Sequence, residues 1–377
     1  MQYGEAWYHY FLKNKDTIRP AVLDSIVRIL SCGKLIRGYK IYCCIREGCL
    51  HIKKIPFGCN CRFCPTCGKR LTDHWIEKQN ALLPQTDWQH ITFTMPRDFW
   101  DFFKDYRELL CMIAKIAADI IQKIAKQNGL TVGIFTALHT FGHDLKWNTH
   151  VHMSVTLGGL TENNKWKKIR FNKTVVMEMW RYAIVDLLRK TGEDGNIEVC
   201  NQLLNHNYKK DWFVHFSEPI DNPQHAISYL GRYIKRPPIS QSKLKHYDGN
   251  SVSFEYLDRK DNQYKTATYS SDDFMERFTQ HIPDKGFRMI RYYGFLANRV
   301  RGKLLPIVYK LVDHIVKETK MTDWATMFLE SFKVDPLKCP LCGSRMALVG
   351  TVFGLSNKQL GIYHEALAKR EIIRMPN

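Results

Sequence analysis

The chain reads as an α+β protein, and three stretches carry that reading. Residues 89–95 alternate, with Ile91, Phe93 and Met95 on one side, and Pro96 ends the run. Leu109, Ile113, Ile116, Ile120 and Ile124 then recur at helical spacing until Asn128-Gly129 supplies a stop. Residues 148–157 alternate again, with polar and apolar side chains on opposite faces. Strands linked by helices, with neighbours near enough in sequence to pair antiparallel, form a sheet covered by helices.

The remaining elements fall in order around these three. Residues 131–141 look like a further strand closed by Gly142, and a helix fits 173–188. A short strand covers 212–216 and a helix covers 222–235. Three segments result: 1–84, which holds eight of the twelve cysteines; 85–295, the α+β segment; and 296–377, expected to be mostly helical with a second short cysteine pair.

Composition narrows the partners. The 377 residues include 56 Lys+Arg against 37 Asp+Glu, a net charge of +19 spread along the chain. Such an excess attracts polyanions and supplies phosphate contacts, which points to nucleic acid. The 45% hydrophobic content is enough for ordinary packed cores, so a disordered chain is excluded. Residues 1–15 lack the apolar stretch of a secretory signal, and no run reaches the roughly 18 apolar residues of a membrane helix. A cytoplasmic, nucleoid-associated protein with no membrane partner is therefore expected, its cysteines thiols or metal ligands rather than disulfides.

The cysteines are dense. Cys43, Cys44 and Cys49 are followed by Cys59, Cys61, Cys64 and Cys67, and Cys64-Pro-Thr-Cys67-Gly has the turn spacing that offers two sulfurs to one tetrahedral ion. Cys44 or Cys43, with Cys49, can supply the other two. Soft thiolates favour Zn²⁺, and a site filled by protein ligands alone is structural. The expected zinc ligands are Cys44, Cys49, Cys59, Cys61, Cys64 and Cys67, with Cys339-Pro-Leu-Cys342-Gly a second half-site needing two ligands from elsewhere. Spacing leaves one and two zinc ions equally open.

His150-Val-His152 lies on the polar face of its strand with Ser154 and Thr156, opposite Val151, Met153, Val155 and Leu157. Two imidazoles side by side make a bidentate clamp for a divalent cation. His139 and His143 lie just upstream, and the segment 221–238 lies downstream. There Pro223 suits a first helical position and Pro237-Pro238 a stop. At about 100° per residue, Tyr229 and Tyr233 share a face, with His225, Arg232 and Arg236 within about 60° of Tyr229. Ile227, Leu230 and Ile234 form a separate apolar stripe.

These residue types combine into one chemistry. A tyrosine oxygen can attack a DNA phosphodiester to leave a phosphotyrosine link and a free hydroxyl. A cation on His150 and His152 would polarise the phosphate, with His225 the expected third ligand and Gln224 the alternative. Arg232, Lys235 and Arg236 are the DNA-contacting candidates, the two arginines suited to neutralising phosphate charge. Two tyrosines one turn apart allow two successive strand transfers. Trp147, Trp166 and Trp212 are either core residues or stacking platforms for unpaired bases.

Taken together these residues resemble the two-tyrosine, helitron-related rolling-circle insertion-sequence transposases of the HUH class. The matching pieces are Leu138-His-Thr-Phe-Gly142, Asn148-Thr-His-Val-His152, Tyr229-Leu-Gly-Arg-Tyr233, Arg291-Tyr-Tyr-Gly294 and the two cysteine regions. The resemblance implies a ferredoxin-like antiparallel sheet with His150 and His152 on a central strand. It also implies Mg²⁺ or Mn²⁺ as catalytic ion, Tyr229 and Tyr233 as nucleophiles, and 5′-phosphotyrosine intermediates. The implied partner is single-stranded DNA from the ends of its own element, with a homo-oligomer left open. Thr149, where relatives often carry Pro, and the extra Cys61 depart from the pattern. A rolling-circle replication initiator or relaxase, and a non-catalytic zinc-dependent DNA-binding regulator, are the competing readings.

Overall fold

The computed structural model describes residues 2–192, 197–208, 212–221, 227, 231, 238–258, 261–316 and 323–374. The chain opens with α1 (Gln2–Lys13), α2 (Pro20–Leu30), β1 (Gly38–Cys44), β2 (Ile52–Pro56) and α3 (Pro65–Leu82). It continues through β3 (Trp88–Phe93), α4 (Asp98–Asp105), α5 (Leu110–Gln127), β4 (Leu130–Phe141), β5 (Trp147–Thr161), β6 (Trp166–Lys168), α6 (Lys173–Gly192), α7 (Ile197–Asn207) and β7 (Val214–Phe216). Strands β8 (Leu244–Tyr247), β9 (Ser251–Asp258) and β10 (Gln263–Ser270) precede α8 (Ser271–Gln280) and β11 (Ile290–Gly294). The last elements are α9 (Asn298–Leu311), α10 (Trp324–Phe332), β12 (Met346–Phe353) and α11 (Asn357–Arg374).

The central sheet runs β11-β4-β5-β3-β7, with β6 paired to β5. Every pairing in it is antiparallel. Leaving out the flanking β11 and β6, its elements follow the order β-α-β-β-α-β, and the strands lie as fourth, first, third, second. That is the ferredoxin-like plan, so the α+β class and the antiparallel sheet are as expected.

Two cores cover the two faces. On one, Ile91, Phe93, Val151, Met153 and Val155 pack against Phe99 and Phe103 of α4, Ile113, Ala117, Ile120 and Ile121 of α5, and Val176, Trp180 and Ile184 of α6. The expected α5 periodicity is displaced slightly: alanines take part of the buried stripe, and Ile116 and Ile124 lie at its edge. On the other face, Trp88, Phe135 and Ala137 pack with Trp75 of α3, Leu305 and Val308 of α9, Phe295 and Ile227. Burying each large apolar side chain fully contributes about 1.5–3 kcal/mol, so both faces stabilise the sheet heavily. The Trp75 indole donates to the Tyr292 hydroxyl at 3.3 Å, which donates to Gln79 Oε1 at 2.9 Å, tying α3 to β11. Trp147 and Trp212 are buried in the first core, and Trp166 packs on Phe295, so these tryptophans are structural.

Segments 1–84 and 296–377 are interleaved. Strand β12 pairs along β1 from Gly38↔Phe353 to Cys44↔Met346, and β1 pairs with β2. The Trp7 indole donates to His364 Nε2 at 2.7 Å, and Ala368 joins the cluster of α1 and α2. The expectation that 296–377 is mostly helical holds among the described residues, with one strand added. Helices α9, α10 and α11 satisfy it, but β12 buries only Met346 fully and carries almost no alternation. Its strand conformation comes from pairing with β1, which lies some three hundred residues away in sequence. The β8–β10 sheet is a further element beyond those expected from the sequence.

Gly294 closes β11 at a positive φ of 61°, and a Cβ there would collide with the Val132 carbonyl. Gly294→Ala is expected to lower stability by roughly 2 kcal/mol or more, read as a drop in the thermal midpoint. An unchanged midpoint would show that this contact relaxes freely.

Candidate metal centre and cysteine sites

Strand alternation builds the candidate centre on the second sheet face. His139 of β4 lies directly opposite His150 of β5, Ala137 lies opposite His152, and Thr92 of β3 opposite His152 from the other side. The ligand atoms of His139, His150 and His152 all lie within 4.8 Å of one another. His139 and His152 are buried, while His150 is part-exposed, so the trio opens on that side.

Hydrogen bonds set the imidazoles' lone pairs. His150 Nδ1 lies 2.9 Å from the Asn148 carbonyl, which can only accept, so this nitrogen carries the proton and Nε2 presents a lone pair. His150 Nε2 and His152 Nε2 stand 3.1 Å apart. Two lone pairs cannot face each other at that distance without a proton or a cation between them. Two nitrogens about 2.1 Å from one ion at right angles would be about 3.0 Å apart, so the pair fits a divalent cation. His90 Nε2 lies 3.0 Å from His152 Nδ1, and the two rings stack at 5.2 Å. Burial, then the nearby His215 and His150, push His90 down to about 4, so it is neutral near pH 7 and can accept from His152 Nδ1–H. This is the outer-shell contact that orients a metal-binding imidazole.

The expected third ligand, His225, lies outside the described residues, as do Gln224, Tyr229, Arg232, Tyr233, Lys235 and Arg236. Two neighbours in that segment are described. Ile227 is buried among Trp75, Trp88, Phe135 and Ala137, on the sheet face that carries the histidines. Gly231 approaches α3 so closely that a Cβ would collide with the Ile76 side chain. In the sequence His139 stands eleven residues before His150, with no local spacing that ties it to the pair. Its position follows from folding β4 and β5 into a hairpin, because the turn between them sets 139 against 150.

The cysteines gather into two four-sulfur groups, one of Cys32, Cys59, Cys64 and Cys67, the other of Cys44, Cys49, Cys339 and Cys342. In the first, Cys32 Sγ lies 3.6 Å from Cys67 Sγ and 3.6 Å from Cys64 Sγ. Sulfurs about 2.3 Å from one tetrahedral ion are about 3.8 Å apart, so the group has the right size for zinc. Cys59, Cys64 and Cys67 are brought together as expected, but Cys32 replaces Cys61. The backbone turns at Asn60 through a left-handed φ of 52°, and the Cys61 thiol is buried near Ser25, where burial pushes its pKa up. Cys44 and Cys49 do not complete the set of Cys64 and Cys67; they meet the late pair instead. Cys43 alternates to the opposite side of β1 from Cys44. The Ser344 backbone N–H, the largest influence on Cys342, helps lower that thiol to about 6.

A basic α+β chain with a three-imidazole sheet site and eight gathered thiols has the equipment of a DNA-processing enzyme with a zinc-binding module. Comparison with known proteins makes the class definite. The family described as "Putative transposase" matches residues 133–303, and "Transposase zinc-binding domain" matches residues 3–95. The transposase for insertion sequence element IS801 of Pseudomonas savastanoi pv. phaseolicola is 38% identical, covering 98% of this chain and 93% of the relative. Putative transposase y4qJ of Sinorhizobium fredii is 28% identical, covering 93% and 94%. No solved structure matches. The chain belongs to the IS91-type family of insertion-sequence transposases. This decides for a transposase over a replication initiator or relaxase. No helix among the described residues is long and apolar enough to cross a membrane.

The geometry groups Cys32, and not Cys61, with Cys59, Cys64 and Cys67. Cys32→Ser is expected to lower the bound zinc of the purified protein by about one ion per chain, and Cys61→Ser to leave it unchanged, by elemental analysis. The reverse pattern would show that the sulfurs rearrange around the ion.

Proposed function

We propose that the protein nicks and rejoins single-stranded DNA at the ends of its own element by tyrosine attack, assisted by a divalent cation held on His139, His150 and His152. The observation that carries this reading is the three-imidazole group on the same sheet face that receives Ile227, with Gly231 packed against α3. Tyr229 lies two residues in sequence from each, and Tyr233 two residues beyond Gly231.

In this reading the three imidazoles supply only neutral nitrogen ligands, so Mg²⁺ or Mn²⁺ would keep its full charge for the scissile phosphate and stabilise the charge that develops there. His150 is the open side of the trio and faces the substrate. His90 holds the tautomer of His152, and the Asn148 carbonyl holds that of His150. The Tyr229 or Tyr233 oxygen attacks phosphorus as its proton leaves, the bond from phosphorus to the 3′ oxygen breaks, and that oxygen takes up a proton. A 5′-phosphotyrosine link and a free 3′-hydroxyl result. Rejoining reverses the step with a new 3′-hydroxyl, and the second tyrosine allows the next transfer while the first end stays attached. Arg232, Lys235 and Arg236 contact the strand's phosphates, and the net charge of +19 draws the DNA in. His225 remains a further ligand candidate in the same segment.

The test is a denaturation-resistant adduct between the protein and labelled single-stranded DNA from the element's ends, with Mg²⁺ or Mn²⁺ present. Tyr229→Phe with Tyr233→Phe is expected to abolish the adduct, and each single variant to show which tyrosine acts first. His139→Ala and His150→Ala are expected to lower the rate by at least a hundredfold. Tight binding without an adduct would favour the non-catalytic regulator. A His139→Ala variant at full rate, beside an inactive His225→Ala, would move the third ligand to His225.

Outer-shell support is separately measurable. His90→Phe is expected to weaken Mn²⁺ binding about tenfold while leaving the fold intact, read by calorimetric titration and circular dichroism. Unchanged affinity would remove His90 from the site.

A further inference from the structure

We propose that Cys44, Cys49, Cys339 and Cys342 form a second structural zinc site, distinct from the Cys32 group, which clasps the C-terminal segment onto the N-terminal sheet. Each pair comes from a tight turn closed by a left-handed glycine. Cys44 and Cys49 flank Gly48 (φ 77°), with the Cys49 N–H donating to the Arg46 carbonyl at 3.1 Å. Cys339 and Cys342 precede Gly343 (φ 75°), whose N–H donates to the Cys339 carbonyl at 2.9 Å. Two such knuckles facing each other present four sulfurs from four directions.

The distances suit an ion and not disulfides. Cys44 Sγ stands 3.4 Å from Cys342 Sγ, and Cys49 Sγ 3.9 Å from Cys339 Sγ. Sulfurs sharing one tetrahedral ion lie about 3.8 Å apart, whereas a disulfide needs about 2.05 Å. Packing alone gives no reason to gather four thiols at one point. The apolar shell of Tyr42, Ala325, Leu337 and Met346 around them would be served as well by aliphatic side chains. The matched zinc-binding domain ends at residue 95, so the late pair lies outside it.

The site's place in the fold explains its use. The sulfurs join positions 290 and 298 residues apart. Beyond them, β12 makes its pairing with β1 while burying only Met346 fully. A strand with so little apolar anchorage needs another restraint to stay paired, and an ion at the Cys44↔Met346 end of the ladder provides one. Closing so long a loop also removes much freedom from the unfolded chain. The transposase zinc-binding unit is thus assembled from both ends of the chain, with the catalytic sheet inserted between them.

Zinc content and cysteine alkylation of the full-length protein test this independently of the DNA chemistry. Wild type is expected to hold two zinc ions per chain, and Cys339→Ser with Cys342→Ser to hold one. In the wild-type protein, mass spectrometry after iodoacetamide treatment should find Cys44, Cys49, Cys339 and Cys342 protected while Cys111 reacts. A chelator should expose those four to the reagent. One zinc ion per chain, with Cys339 and Cys342 alkylated as fast as Cys111, would overturn the proposal. The alkylation readout needs no substitution, so a double variant that fails to fold leaves the test intact.

Discussion

The antiparallel register between β4 and β5 is the constraint on which the candidate centre depends. It sets His139 across from His150 and Ala137 across from His152. A slip of one residue would turn Val151, Met153 and Val155 toward the histidine face and carry His150 and His152 into the helix-packed core. The apolar face makes that slip very costly, because those three valine and methionine side chains are fully buried against α4, α5 and α6. The hydrophobic core on one side of the sheet therefore aligns the imidazoles on the other. The site is polar, but its precision is a packing effect.

The same sheet explains how the second face is divided. Away from the β4–β5 turn, aromatic side chains of β3, β4 and α3 make an apolar floor that receives Ile227. Toward the β4–β5 turn, the floor gives way to His139, His150, His152 and His90. Ile227 thus sits on the apolar part of the same face that carries the imidazole cluster. Supporting contacts from His90 and the Asn148 carbonyl hold two of those rings in the tautomers a cation needs.

Away from the centre, the fold returns its C-terminus to its N-terminus. β12 adds to the β1–β2 pair, His364 accepts from Trp7, and the late cysteines face Cys44 and Cys49. The N-terminal region alone lacks a full sheet and half of one sulfur set, so its stability is shared with the last fifty residues.

Much of this was legible in the residues. Period-two alternation identified β3 and β5, and the opposed faces of β5 were assigned correctly, because alternation directly encodes burial on a sheet. The helical period located α5 and α6 for the same reason. The His-x-His pair and the CxxC spacings are local geometry, which sequence carries in full. Strand β12 was not legible, since its side chains are mostly exposed and its order comes from a partner across the chain.

What the sequence by itself determined is the class of each part: an α+β sheet, a strongly basic chain, a histidine pair and a set of closely spaced thiols. Only the tertiary structure decided which of these side chains converge. It placed His139 beside the histidine pair, Cys32 rather than Cys61 beside Cys59, Cys64 and Cys67, and Cys44 and Cys49 beside the late pair. The physical reason is one of range. Spacing along the chain fixes which atoms of a single turn converge, whereas a four-ligand site needs two turns to meet. That meeting is set by strand register, by a left-handed residue such as Asn60, and by packing between segments hundreds of residues apart.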